Sequence, residues 1–234
     1  SATVRGFFDK VSWRISDKMC IVNESTAKKL LEKVKRDYAK IADDFDNTRK
    51  RGWKDFEVFD PYLKGKVLDI GCGNGRLKDY IGDRAEYFGC DNNEKFVTIA
   101  KRRGGNFEAG DFLDLPYPDN HFDLVVSVAA FHHIPSRKLR KKALKEVKRV
   151  MKPGATGIFL VWNLWQRKYI PIFLKSCLRS LLTFGKYSPQ DFFVPWGNKA
   201  SRYYYAFTKR SLKKLFKKVA LTPSGKNFYV IFKK

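Results

Sequence analysis

Apolar residues recur along this chain in two rhythms. Over residues 25–45, Leu30, Leu31, Val34, Tyr38, Ile41 and Phe45 follow three-to-four spacing, which predicts an amphipathic helix capped by Asn23 or Ser25. After Pro61 the rhythm changes to short apolar runs ended by glycine or aspartate: Lys66–Ile70, 87–90, Asn106–Ala109 and Phe122–Val128. Helical stretches at 94–103 and 137–151 separate them. Strands alternating with helices predict an α/β fold with a mostly parallel sheet covered on both faces. Further on, 157–162 reads as a fifth strand, 211–219 as a helix behind a Thr208 cap, and 227–232 as a closing strand. Residues 1–24 mix Phe7, Phe8, Val11, Trp13 and Ile15 with charge and show no period, so no element is predicted there.

Between the fifth strand and the last helix lies an aromatic-rich insertion, residues 163–207. Ile170, Phe173, Leu174, Cys177, Leu178, Leu181 and Leu182 form one apolar helical stripe, with Lys175 and Arg179 one turn apart on another face. The stretch is too short and too charged to span a membrane. The plainer reading of the stripe, packing into a core, is preferred to an interfacial membrane helix.

Charge changes the picture. The chain carries a formal net charge of +24, and nearly all of it lies in residues 135–234, whose only acids are Glu146 and Asp191. So lopsided an excess points to a polyanionic partner, nucleic acid before anionic membrane. Cys20, Cys72, Cys90 and Cys177 are scattered, so neither a disulfide framework nor a metal site is signalled, which fits a reducing cytoplasm. No secretory leader is recognisable at the start of the sequence.

The densest motif is Val67-Leu68-Asp69-Ile70-Gly71-Cys72-Gly73-Asn74-Gly75, a buried strand running into a glycine-rich turn and a helix. Glycines let the backbone approach a ligand, and a helix N-terminus favours a carboxylate. The G-x-G-x-G spacing, with Asp69 two residues before Gly71, suits a ligand carrying an amine better than a pyrophosphate. Asp91, with Asn92 beside it, ends the second strand where a carboxylate accepts from both hydroxyls of a ribose. Asp111 ends the third strand, placed to accept from an adenine amine, with Phe112 to cover the ring. Amine, ribose and adenine are the polar handles of S-adenosylmethionine, and residues 60–162 resemble the class I methyltransferases. That resemblance implies a Rossmann-like, seven-stranded sheet whose last strand is antiparallel.

After the fourth strand, Val128-Ala129-Ala130-Phe131-His132-His133-Ile134-Pro135 offers no Asn-Pro-Pro-Tyr-like motif for an exocyclic amine and no cysteine for covalent attack on a pyrimidine, which favours oxygen methylation. Other segments narrow the resemblance: Tyr38-Ala39-Lys40-Ile41-Ala42 with Phe45, Thr48, Arg49 and Trp53; Val161-Trp162; Asp191 to Trp196; Arg202-Tyr203-Tyr204; and Asn227-Phe228-Tyr229-Val230. Together they resemble the tRNA wobble-uridine methyltransferases that esterify a 5-carboxymethyl group. The resemblance spans about Tyr38 to the C-terminus, leaves residues 1–24 uncovered, and implies a tRNA substrate and a small zinc-binding activator subunit at the edge strand Asn106–Ala109. Residues 1–60 are read as an N-terminal extension and helix packing on a 61–234 methyltransferase domain. A carboxylate is ionised at neutral pH and needs a clamp rather than a base. Arg49, His132, His133 and Arg202 are the candidates. Their plainer readings are a solvated helix end for Arg49, a satisfied core residue for one histidine and a phosphate contact for Arg202. Tyr38 and Trp162 are further candidates for holding substrate. Trp196, Tyr203 and Tyr204 suit stacking of unpaired anticodon bases, or packing on the apolar helix, and Lys175 and Arg179 suit the RNA backbone. The rivals are a quinone-type or other small-molecule methyltransferase on anionic membrane, and an RNA-binding module with a vestigial cofactor site.

Overall fold

The computed structural model describes residues 22–50, 52–217 and 219–234. Strands β1 (Lys66–Ile70), β2 (Glu86–Asp91), β3 (Asn106–Ala109), β4 (Phe122–Val128) and β5 (Met151–Trp162) are followed by a separate antiparallel hairpin, β6 (Asp191–Trp196) and β7 (Ala200–Tyr205), and then by β8 (Ala220–Ser224) and β9 (Asn227–Lys233). Seven of them form one sheet in the order β3-β2-β1-β4-β5-β9-β8, parallel from β3 to β5, with β9 antiparallel to both neighbours. The side chains of β1 alternate between two cores, Leu68 and Ile70 joining Phe122, Val125 and Phe159 on one face and Val67 joining Leu124, Val126 and Ile158 on the other.

Helix α1 (Glu24–Thr48) starts where the Asn23 side chain accepts the Thr26 backbone N–H at 2.8 Å. It sends Leu30 and Val34 into the Leu68 cluster and lies across β7, which brings its C-terminal turn over the sheet. Helices α2 (Arg76–Ile81), α3 (Glu94–Lys101) and α4 (Arg137–Val150) fill the crossovers, α5 (Ile170–Leu182) lies in the insertion, and α6 (Lys209–Phe216) opens with a Thr208/Ser211 capping box. Strand β8 was not legible: a five-residue run holding Pro223 reads poorly as a strand, and it forms here at the sheet edge, where a missing N–H is tolerated. Nor was the β6–β7 hairpin. Among the described residues no helix is long and apolar enough to cross a membrane.

The expectation that the α5 stripe packs into a core holds for Phe173, Ile170 and Cys177, which join the Leu164 and Phe192 cluster, and is overturned for the leucines. The helix buries Phe173, Ser176 and Ser180, while Leu174, Leu178, Leu181 and Leu182 are exposed. Serines let α5 sit close to β6, where Ser176 Oγ donates to the Asp191 carbonyl at 2.9 Å, and that close face is too narrow to cover the leucines.

Candidate active site

The chain reverses its lateral direction between β1 and β4, and at the carboxyl ends of these strands lies a cavity of about 440 Å³, within the usual range for small-ligand sites. Gly71 and Gly73, Asp91 and Asn92, and Asp111 and Phe112 line one side. Tyr38 and Phe45 of α1 and Arg49 just past its end, with His133, Trp162 and Arg202, line the other.

On the first side the glycine turn is held by the next strand. Asp91 Oδ2 accepts the Gly73 N–H at 2.9 Å and Oδ1 accepts the Asn93 N–H at 2.9 Å, while burial pushes the Asp91 carboxyl up to about 6. Asn74 ties the turn to the end of α1 through Asp46 Oδ1 at 2.8 Å and the Arg49 carbonyl at 3.2 Å. Gly75 has φ +74°, and a Cβ there would stand 2.8 Å from Phe107 Cζ, so the turn closes only on glycine. Asp111 accepts from the Asn92 amide at 3.1 Å and the Leu113 N–H at 2.8 Å, which sets Phe112 against the cavity. Asp69 departs from expectation. Strand alternation turns it to the Val67 face, where it accepts from the Tyr87 hydroxyl at 2.9 Å instead of lining the cavity. Its Oδ1 is buried without a partner, and burial raises the carboxyl to about 7.

On the second side two guanidinium groups flank one indole. Arg49 lies 4.6 Å from the Trp196 ring and 4.3 Å from the Phe45 ring, and Arg202 lies 4.6 Å from Trp196. Arg202 is buried, and its Nε finds no hydrogen-bond partner. Among the described residues no acidic side chain forms an ion pair with either arginine. Burial, and then the repulsion of Arg202, lowers the proton affinity of Arg49.

Several substrate expectations need correction. His133 lines the cavity, but His132 is fully buried behind it, its Nδ1 accepting the Trp162 N–H at 3.3 Å, so only one of the two histidines can meet a ligand. Tyr203 and Tyr204 are fully buried and offer no face to a base. The hairpin turns Tyr203 inward to donate to Asp191 Oδ1 at 2.8 Å, and Tyr204 stacks on Trp162 with centroids 5.1 Å apart. Trp196 is half-buried with its rings engaged by the arginines. Lys175 and Arg179 lie on α5, outside the cavity lining, with Arg179 4.2 Å from the Phe193 ring. Two lining cations were missed, Lys35 and Arg76. Arg76 opens α2 directly after Gly75 and lies 5.5 Å from the Trp53 ring; its place beside the glycine turn was the available signal.

Residues 68–159 match the family described as methyltransferase domain. The chain is 35% identical over 167 residues, 70% of its length and 68% of the relative's, to a tRNA (carboxymethyluridine(34)-5-O)-methyltransferase of Schizosaccharomyces pombe. It is 33% identical over 159 residues to the Arabidopsis thaliana protein of the same name, covering 66% of this chain but 39% of that one. Among solved structures, a SAM-dependent methyltransferase from Methanosarcina mazei superposes with a TM-score of 0.62 at 21% identity, over 76% of this chain and 96% of that one. DhpI in complex with SAM and HEP gives 0.64 at 16% identity, over 86% and 96%. The sheet order and the cavity at its switch point agree with these likenesses, and the chain belongs to the S-adenosylmethionine-dependent methyltransferases, in the family of the tRNA (carboxymethyluridine(34)-5-O)-methyltransferases.

Proposed function

We propose that the chain methylates tRNA at the carboxylate of a 5-carboxymethyl-type wobble uridine. The observation that carries this reading is the pair Arg49 and Arg202, two cations on the cavity wall without an acidic partner among the described residues. Such a pair is complete only when an anion enters, and a carboxylate matches guanidinium geometry.

The residues fit S-adenosylmethionine. The Asp91 oxygens, held by turn N–H groups, keep lone pairs for ribose hydroxyls, Asn92, Asp111 and Phe112 form an adenine-sized corner, Gly71 and Gly73 leave bare backbone along the wall, and Arg76 stands by for a carboxylate. Asp69 lies beneath the wall and serves by bracing Tyr87 under the turn. When bound, the cofactor supplies a sulfonium methyl that passes to a carboxylate oxygen as the carbon–sulfur bond breaks, with no proton to remove. The chain's own residues therefore align and desolvate. Arg49 and Arg202 hold the carboxylate; Phe45, Phe96, Phe112 and Trp162 keep water out. His133, held neutral because burial pushes it down to about 3, is not a base for this reaction but a support for Tyr38.

The basic half attracts the RNA backbone, chiefly through exposed Arg167 and Lys168 with Lys175 and Arg179 of α5. Lys199 contributes less, since it pairs with Asp44 at 2.5 Å and ties the hairpin to α1. Of the 1–60 extension, the described residues Tyr38, Phe45, Arg49 and Trp53 complete the cavity of the 61–234 domain. The proposal includes a small zinc-binding activator seated on β3, supported by the open edge of the sheet there, and a cytoplasmic location, in keeping with unpaired Cys72, Cys90 and Cys177.

The test is transfer of a labelled methyl group to bulk tRNA followed by nucleoside mass analysis. A methyl ester on a wobble uridine is the expected product. Labelled lipid or quinone with unlabelled tRNA would replace this reading with the small-molecule one.

A further inference from the structure

Helix α5 turns four of its leucines away from the protein. Leu174, Leu178, Leu181 and Leu182 are 60%, 57%, 74% and 68% exposed, and Phe184, just past the helix, is 99% exposed. Their spacing puts the four leucines on one side of the helix, opposite Phe173, Ser176 and Ser180. None of them lines the cavity. Singly exposed leucines are ordinary, but a contiguous apolar face marks an interaction surface.

Charge decides among the occupants of this face. Residues 163–190 carry Arg167, Lys168, Lys175, Arg179 and Lys186 and no acid at all. Of these, Arg167, Lys168, Lys175 and Lys186 are exposed around the leucines. An RNA backbone would satisfy the cations and gain nothing from the leucines. A second copy would cover the leucines but set like charges against like. An anionic bilayer surface satisfies both at once, taking leucine and phenylalanine below the headgroups while lysine stems reach up to phosphate. We propose that the outer face of α5, with Phe184, lies in the surface of a membrane containing anionic lipid. The helix rests on such a membrane and does not cross it.

The inference shares Arg167, Lys168 and Lys175 with the proposed RNA contact but not the leucines, so it is tested on the full chain with vesicle binding measured in the absence of tRNA. Flotation is measured with vesicles of phosphatidylcholine, alone or mixed with phosphatidylserine, for the native chain and for Leu178→Glu with Leu181→Glu. Native protein should float with the mixed vesicles. The double variant should lose at least about tenfold in partitioning, because two buried leucines are replaced by charges that the same headgroups repel. Its melting temperature should stay unchanged, and Leu178→Phe with Leu181→Phe, which keeps the face apolar, should float like the native chain. Equal flotation of native and double-glutamate protein would reduce the effect to general polycation attraction and overturn the proposal. So would absence of vesicle binding, or a dimer in light scattering that the glutamates dissolve.

Discussion

The Tyr38 hydroxyl lies 2.8 Å from His133 Nε2, and this contact is directional because of what stands behind it. His133 Nδ1 is 2.6 Å from the Tyr203 carbonyl, which can only accept, so Nδ1 carries the proton and Nε2 receives the tyrosine hydrogen. Helix α1, the turn after β4 and the hairpin are thus joined through one imidazole at the cavity wall. Tyr38→Phe should destabilise the fold by about 1–3 kcal/mol by leaving Nε2 unpaired. In a double-mutant cycle with His133→Leu the two losses should be markedly less than additive, as read by urea unfolding; simple additivity would mean the contact carries no energy.

His133 also sets a pH dependence. Burial lowers it from 6.5 to about 3, whereas the unfolded chain takes up its proton near 6.5. Between these values the unfolded state binds more protons, so this group's contribution is fully present above pH 6.5 and is lost as the pH falls toward 3. His133→Gln should flatten that part of the stability profile, and an unchanged slope in urea titrations from pH 7 to 4 would remove His133 as its source.

Asp91 works with the opposite sign, because burial raises it to about 6. If its ionised form receives the ribose hydroxyls, affinity for S-adenosylmethionine should rise with pH up to about 6 and then level off. Asp91→Ala should weaken binding by about 1–3 kcal/mol through loss of charged acceptors. Calorimetry across this range checks both, and undiminished affinity in Asp91→Ala would take this residue out of the site.

Arg49 and Arg202 share the Trp196 ring, so the indole should matter without touching substrate. Arg49→Ala should lower kcat on tRNA while leaving the salt dependence of tRNA binding nearly intact, since one aligning contact is lost and not a set of backbone contacts. Trp196→Ala should reproduce part of the same loss by releasing both guanidinium groups. A kcat unaffected by Arg49→Ala would leave the carboxylate clamp without its main member.

Gly75→Ala tests the turn itself. The added Cβ meets Phe107 and the backbone is left-handed, so a loss of about 1–3 kcal/mol is expected in unfolding experiments. A variant as stable as the native chain would show that Phe107 yields easily.

Local patterning was enough to establish the frame of this protein. The apolar run from Val67 to Ile70 and the glycines after it specify a buried strand and a tight turn by short-range sterics alone, and Asn23 and Thr208 mark helix starts by the same local chemistry. Asp91, Asp111 and Phe112 could be placed because strand ends in a parallel sheet face one crevice. What sequence could not decide was orientation across long separations. Whether Asp69 faced ligand or core depended on which face of β1 it occupied, and whether Tyr204 met a base or Trp162 depended on how the hairpin docked. The same holds for Arg49 and Arg202, which lie far apart in the chain and meet across Trp196 only because α1 lies over β7. Periodicity found the α5 stripe, but it records only that apolar residues share a face; tertiary packing, which brought the serine face inward, decided that the leucines remain outside.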